Sequence, residues 1–206
     1  AYRRQRQMCI RDRSVGLWVG CIAFSLMYPL TKYHGKLKSG FAWWASKASV
    51  LYLVAISQAV VMIGLLHFFD GFEPVQMTKT IAFACLASVA FMSVMYFFTN
   101  TFGKVGSFLM LIFMVIQLAG SVGTYPLELS GSFVPYLHDW VPFTYTVEAF
   151  RSTIAGGESI RNAVIFLIVL WLVFTGLTIL EFQIRAVKIK KGKPILESWL
   201  EKKGLA

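Results

Sequence analysis

Charge is scarce in this sequence: of 206 residues only 15% are Asp, Glu, Lys or Arg, and there are ten acids against twenty bases. With 57% of the residues hydrophobic, too few solvated side chains remain to cover a water-soluble domain. That excludes both an ordinary soluble enzyme and a disordered chain, and makes a membrane protein the first reading. Cysteine is scarce as well. Three cysteines give no even, spaced framework for disulfides, and Cys21 and Cys85 sit in apolar runs where a thiol packs as a small hydrophobe. Catalytic signatures are missing: there is no HExxH, no GxxxxGK[ST] phosphate loop, no CxxC pair and no GxSxG. His34, His67 and His138 fall in different segments and depths, so no shared metal is expected, nor any cofactor or enzymatic activity. If ATP drives this chain, another polypeptide hydrolyses it. The expected surroundings are lipid rather than nucleic acid.

The opening AYRRQRQMCIRDR holds five of the twenty bases and looks like nothing that follows. Arg3 to Asp12 back-translates to CGT CGG CAG CGT CAG ATG TGT ATA AGA GAC, with AG opening the codon of Arg13. That string resembles the read-one adapter and transposon end of common short-read library kits. Residues 1–13 are therefore read as an assembly scar rather than protein, with a basic juxtamembrane arm on anionic lipid as the alternative. Without five Arg and Asp12 the net charge falls from +10 to +6, fifteen bases minus nine acids. The native start is then missing, and more protein is expected upstream.

A helix crossing the hydrocarbon core needs about 20 mostly apolar residues. Five stretches approach or meet that length: 15–30, 50–69, 80–98, 105–122 and 163–182, the first shortened as if its opening turn were cut away. None carries an acid or base before Glu181. The expected fold is thus all-α, a polytopic helical membrane protein with five transmembrane helices here, plus short re-entrant or interfacial outer helices. Gly16 and Gly20 form a small-xxx-small pair, and Ala84, Ala87 and Ala90 allow close helix approach. Polar residues in or near the spans are few: Ser57, Gln58, His67, Ser88, Ser93, Gln117 and Ser121. Only His67 is ionisable, and its place near the outer end of its span reads as interfacial, so a proton relay or ion-coupled carrier finds no support.

Sorting the fifteen remaining bases by loop gives twelve on one side: Lys32, Lys36, Lys38, Lys47, Lys104, Arg185, Lys188, Lys190, Lys191, Lys193, Lys202 and Lys203. The other side has Lys79, Arg151 and Arg161 among Asp70, Glu73, Glu128, Asp139, Glu148 and Glu158. By the positive-inside rule the twelve mark the cytoplasm, which places the N-terminus outside and the C-terminus in the cytoplasm.

Two loops and the tail carry further signal. TKYHGKLKSGFAWWASK, after the first span, combines four lysines with Phe41, Trp43 and Trp44 and reads as an interfacial helix, either a lipid anchor or a dock for a cytoplasmic partner. The outer segment from Gly123 to Gly157 is apolar and aromatic, but Pro126, Pro135 and Pro142 cut it into pieces too short to cross. Short helices dipping into the outer leaflet satisfy that pattern. The stretch from Pro142 to Ile154 reads as a helix with Pro at its first position, stopped by Gly156 and Gly157, on which Glu148 and Arg151 are spaced to pair. After residue 184 the tail is basic, and Ile195, Leu196, Trp199 and Leu200 at helical spacing read as a helix on the inner leaflet.

The outer segment resembles the closing region of the YhgE/Pip (phage infection protein) family. Its pattern of Gly-Thr-aromatic-Pro-x-Glu falls here on Gly123, Thr124, Tyr125, Pro126 and Glu128. The Pro-x-Thr-Tyr, Arg and Gly-Gly that follow fall on Pro142, Thr144, Tyr145, Arg151, Gly156 and Gly157. The opening LWVGCIAFSLMYPL and the order of spans are similar as well, so the likeness covers about 15–182. That family is similar to ABC-transporter type-2 permeases, which have six core spans and a cytoplasmic coupling helix between the second and third. The resemblance implies a type-2-like transmembrane domain over 14–183 with a basic cytoplasmic tail over 184–206. It also implies a missing first span, and a coupling loop around Lys36, Lys38, Phe41, Trp43 and Trp44. The outer motif would be structural or gating. The implied function is export across the cytoplasmic membrane with a separate ATPase subunit, as a homodimer or hetero-oligomer. The alternative is a membrane anchor or scaffold for an extracellular domain, serving type VII secretion-related assembly or phage attachment.

Overall fold

The computed structural model describes residues 2–28, 39–70, 74–120, 141–155 and 159–190. They form six helices: α1 (Tyr2–Met27), α2 (Gly40–Asp70), α3 (Met77–Phe102), α4 (Lys104–Gly120), α5 (Pro142–Ala155) and α6 (Arg161–Lys190). No strand occurs among the described residues, in keeping with an all-α fold.

Local chemistry explains several of the helix ends. Ser39 caps α2, its hydroxyl accepting a hydrogen bond from the Ala42 amide at 3.1 Å. Pro142 opens α5, where a missing backbone donor costs nothing. Gly103 separates α3 from α4 with φ at 62°, a left-handed conformation that glycine adopts without a Cβ clash, and its amide donates to the Thr99 carbonyl at 2.8 Å. That single residue reverses the chain.

By length and composition α2, α3 and α6 can each cross a membrane, α4 is a shorter apolar helix of 17 residues, and α1 is diluted by the bases of its first half. α1 runs unbroken from Tyr2, so no helix boundary falls at residue 13. α2 corrects one expectation. Phe41, Trp43 and Trp44 do not form a separate interfacial helix; they are the opening turns of α2, which starts ten residues before the expected span. Nothing between Ser39 and Val50 breaks a helix, and the Ser39 cap sets the start at Gly40.

The bundle is built around α3, which packs against all five other helices. In its most apolar stretch 61% of residues are buried, against 22% for α2 and 17% for α6, so α3 is interior while the other two turn broad apolar faces outward. Ala84, Ala87 and Ala90 are fully buried, as close helix approach requires. Trp18 of α1 meets Phe91 of α3 edge-on at 4.9 Å and Phe143 of α5 at 5.5 Å, which locks the short α5 onto the core.

Candidate functional site

Five helix ends gather at one end of the bundle: the close of α1, the opening of α2, the turn between α3 and α4, and the close of α6. Lys47 of α2 lies 4.8 Å from the centre of the Tyr28 ring, and Thr99 of α3 is 3.4 Å from Ser25 and 3.1 Å from Ser107, tying α1 and α4 to α3. Lys104 and Lys188 are exposed at this same end, the one that the sequence count makes base-rich when residues 1–13 are set aside.

The opening of α2 is seated here on α6. Trp43, 5% exposed, meets Phe182 edge-on at 4.8 Å, and Tyr96 of α3 stands 5.7 Å from the same ring while its hydroxyl reaches the Trp44 carbonyl at 3.5 Å. Gly40 permits that seat, because a Cβ there would meet the Phe182 carbonyl oxygen at 2.6 Å and the Gln183 backbone at 2.8 Å. Phe41 is the exception among these aromatics, being 52% exposed with its ring 5.4 Å from Trp44.

One ion pair fastens α6 to α3 beside that seat. Arg185 pairs with Glu181 at 2.7 Å and also donates to the Asn100 carbonyl. Glu181 accepts from Thr101 at 2.7 Å through its other oxygen. The two side chains are only 5% and 18% exposed, so the pair is largely desolvated and depends on both partners being present. The sequence reading missed this cluster, although a Glu four residues before an Arg on one helix is its signature.

A second polar knot sits deeper. The Gln58 amide nitrogen of α2 lies 2.8 Å from the Ser88 hydroxyl, 3.1 Å from the Cys21 sulfur and 3.2 Å from the Leu17 carbonyl. Ser88 in turn donates to the Ala55 carbonyl at 2.6 Å. Gly20 makes room for it, since a Cβ there would fall 3.2 Å from Gln58 Cδ and closer still to Oε1. Gly16 does no such work, its nearest neighbour being the Met62 sulfur at 3.8 Å. Tyr52 bridges Ser93 at 3.1 Å and Thr175 at 3.0 Å, so α2, α3 and α6 share one hydroxyl node.

At the opposite end the sequence-predicted outer helix is present as α5. Pro142 and Thr144 are buried, Tyr145 stacks on Phe166 at 4.1 Å, and Arg151 is exposed. Glu148 is exposed too, and the expected Glu148–Arg151 pair is not formed; two solvated charges gain little by closing. His67 is exposed on the last turns of α2. Gly123, Thr124, Tyr125, Pro126, Glu128, Gly156, Gly157, Lys36 and Lys38 lie outside the described residues, as do His34, His138 and the tail positions Ile195, Leu196, Trp199 and Leu200. Among the described residues no group of three or more His, Cys, Asp or Glu is placed to hold a metal.

With this architecture in view, a family profile described as ABC-2 family transporter protein matches residues 38–180. The chain belongs to the ABC-2 transporter family. Within that family it is YhgE-like: it is 35% identical over 145 residues to the "Uncharacterized protein YhgE" of Bacillus subtilis (strain 168). The aligned part is 70% of this chain and 19% of that relative, so the chain spans under a fifth of the relative's length. No solved structure matches. The profile begins two residues before α2 and ends one residue before Glu181, so the ABC-2 match takes in the α2 opening and stops at the ion pair. Membership makes this a membrane domain of a transport family.

Proposed function

We propose that the chain is the permease domain of an ATP-driven exporter. In this reading α1 to α4 and α6 cross the cytoplasmic membrane and α5 stays in the outer leaflet, while a separate ATPase docks at the base-rich end. Two permease halves then alternate access. The observation that carries the reading is the construction of the α2 opening. Phe41 is exposed on a turn whose inner side is bolted to α6 by Trp43, Phe182 and the close contact at Gly40, beside the Glu181–Arg185 pair. A push on Phe41 passes into α3 and α6 without a flexible joint. Placing that end in the cytoplasm agrees with the twelve-to-three distribution of bases.

Trp43 is a poor probe of docking because its removal would open the core. Phe41 is the better one. The tagged chain purified from its native host should bring down ATP-hydrolysing activity, and Phe41→Asp should lower the recovered activity at least tenfold while the thermal midpoint stays within a few degrees. Recovery equal to the unsubstituted chain refutes docking through this turn.

A second reading, an anchor or scaffold that presents an extracellular domain, draws on the short overlap with YhgE, most of whose length lies outside the match. It requires that function survive Phe41→Asp and be lost when the extracellular part of the full protein is deleted.

A further inference from the structure

Three of the buried polar groups that have no partner lie on α1 and α4: the Ser14 hydroxyl, the Trp18 indole N–H, and both ends of the Gln117 amide. All three residues are completely buried. Helix register brings them to one place. α1 and α4 run antiparallel, with Ser25 and Ser107 sharing Thr99 at one level and the Trp18 and Phe113 rings 5.9 Å apart at the next. Side chains four residues apart lie on the same face of a helix, one above the other. Four residues beyond Trp18 on α1 is Ser14, and four beyond Phe113 on α4 is Gln117, so both fall about 6 Å further along the same seam.

We propose that this outer part of the α1–α4 seam is a binding site for a lipid-like amphiphile with an uncharged, hydrogen-bonding head. The amide, the indole and the hydroxyl together offer donors and acceptors but no formal charge, which suits a hydroxyl, ester or amide group. Arg13, one residue before Ser14, is buried with an interaction of its own and is not counted among these groups. Below the polar groups the rings of Trp18, Phe91, Phe113 and Phe143 pack on one another, an aromatic cluster beside which an acyl chain would lie. The far side of α4 exposes Phe108, Ile112 and Val115, so one helix separates the site from bulk lipid and entry past α4 is short. A buried amide with no partner is costly, and bonding it is what a ligand would supply. The proposal names a cargo class for the transport reading and takes its physiological meaning from it, but binding can be measured with no ATPase present.

The test uses the whole chain in nanodiscs with a photoreactive monoacylglycerol carrying a diazirine in its acyl chain, and adducts mapped by peptide mass spectrometry. Adducts should concentrate on α1, α4 and α5 around Trp18, Phe113 and Phe143. Excess monooleoylglycerol should displace them at least tenfold better than dioleoyl phosphatidate. Gln117→Leu should cut labelling there at least tenfold while keeping the elution volume and thermal midpoint of the folded chain. Adducts spread over the lipid-facing residues of α2, α4 and α6, or equal competition by phosphatidate, overturn the site or its preference for an uncharged head. Competition on the unsubstituted chain decides the matter even if Gln117→Leu does not fold. Loss of ATPase recovery with binding intact would instead count against the exporter reading alone.

Discussion

Gly20 exists in this bundle to leave space for Gln58, and that claim has a number attached. In Gly20→Ala the new Cβ falls against the Gln58 amide and drives its flexible tip away, so steric strain is small but the bonds from α2 to α1 and α3 are lost. The amide nitrogen has two hydrogens, so at most two of its three contacts are full bonds at once. Hydrogen bonds between transmembrane helices average about 0.6 kcal/mol and reach about 1.7, so the loss is roughly 1 kcal/mol with a ceiling near 3. Against it stands a gain of up to ~1 kcal/mol from replacing a helical glycine by alanine. Gly20→Ala alone should therefore be close to neutral or mildly destabilising. In a Gln58→Ala background the same change meets no amide and should be stabilising. The coupling between the two sites, about 1 kcal/mol, is the quantity to measure, by SDS-induced unfolding of the four variants in mixed micelles followed by circular dichroism. Additivity within about 0.3 kcal/mol would refute the reasoning and leave Gly20 with some other role.

Gly40→Ala places a methyl on the Phe182 carbonyl and Gln183 backbone, which cannot yield as a side-chain tip can, and should cost about 1–3 kcal/mol in the same assay. Gly103→Ala forces a side chain into φ 62°, ψ −135° at the α3–α4 turn, backbone open to glycine alone, and should cost about 1–3 kcal/mol, with Gly103→Asn losing as much. Arg185→Met strands the Glu181 carboxylate in a partly buried site and should destabilise by about 3 kcal/mol, whereas Glu181→Leu together with Arg185→Met should recover at least half; a double variant as weak as the single refutes the paired role.

Much of this fold was legible because its periodic apolar runs and breakers are strong local signals. α5 opens at Pro142 and ends at Ala155, one residue beyond the expected stop, since proline and paired glycines act within a turn or two of the chain. Span ends were less legible. Hydropathy weights Trp43, Trp44 and Lys47 as loop-like, while the backbone needs only the Ser39 cap and no breaker to run helical from Gly40. The site was legible only in pieces. Phe41 and the two tryptophans stood out by composition, and Gln58, Ser88 and Gln117 stood out as polar residues in apolar spans. That Gln58 meets Ser88 thirty residues away, or that Arg185 reaches Asn100 eighty-five residues away, depends on which helices become neighbours, and no local pattern encodes that.

Among the described helices the central position is filled by α3, which leaves no lumen there. α3 touches each of the other described helices, and its middle carries Phe91, Met92, Met95 and Tyr96 completely buried, so the axis a cargo would follow through a hollow protein is solid side chain. In the exporter reading, cargo would then travel along the flank of these helices, against lipid or another subunit, and its route would be a boundary that the single chain only half defines.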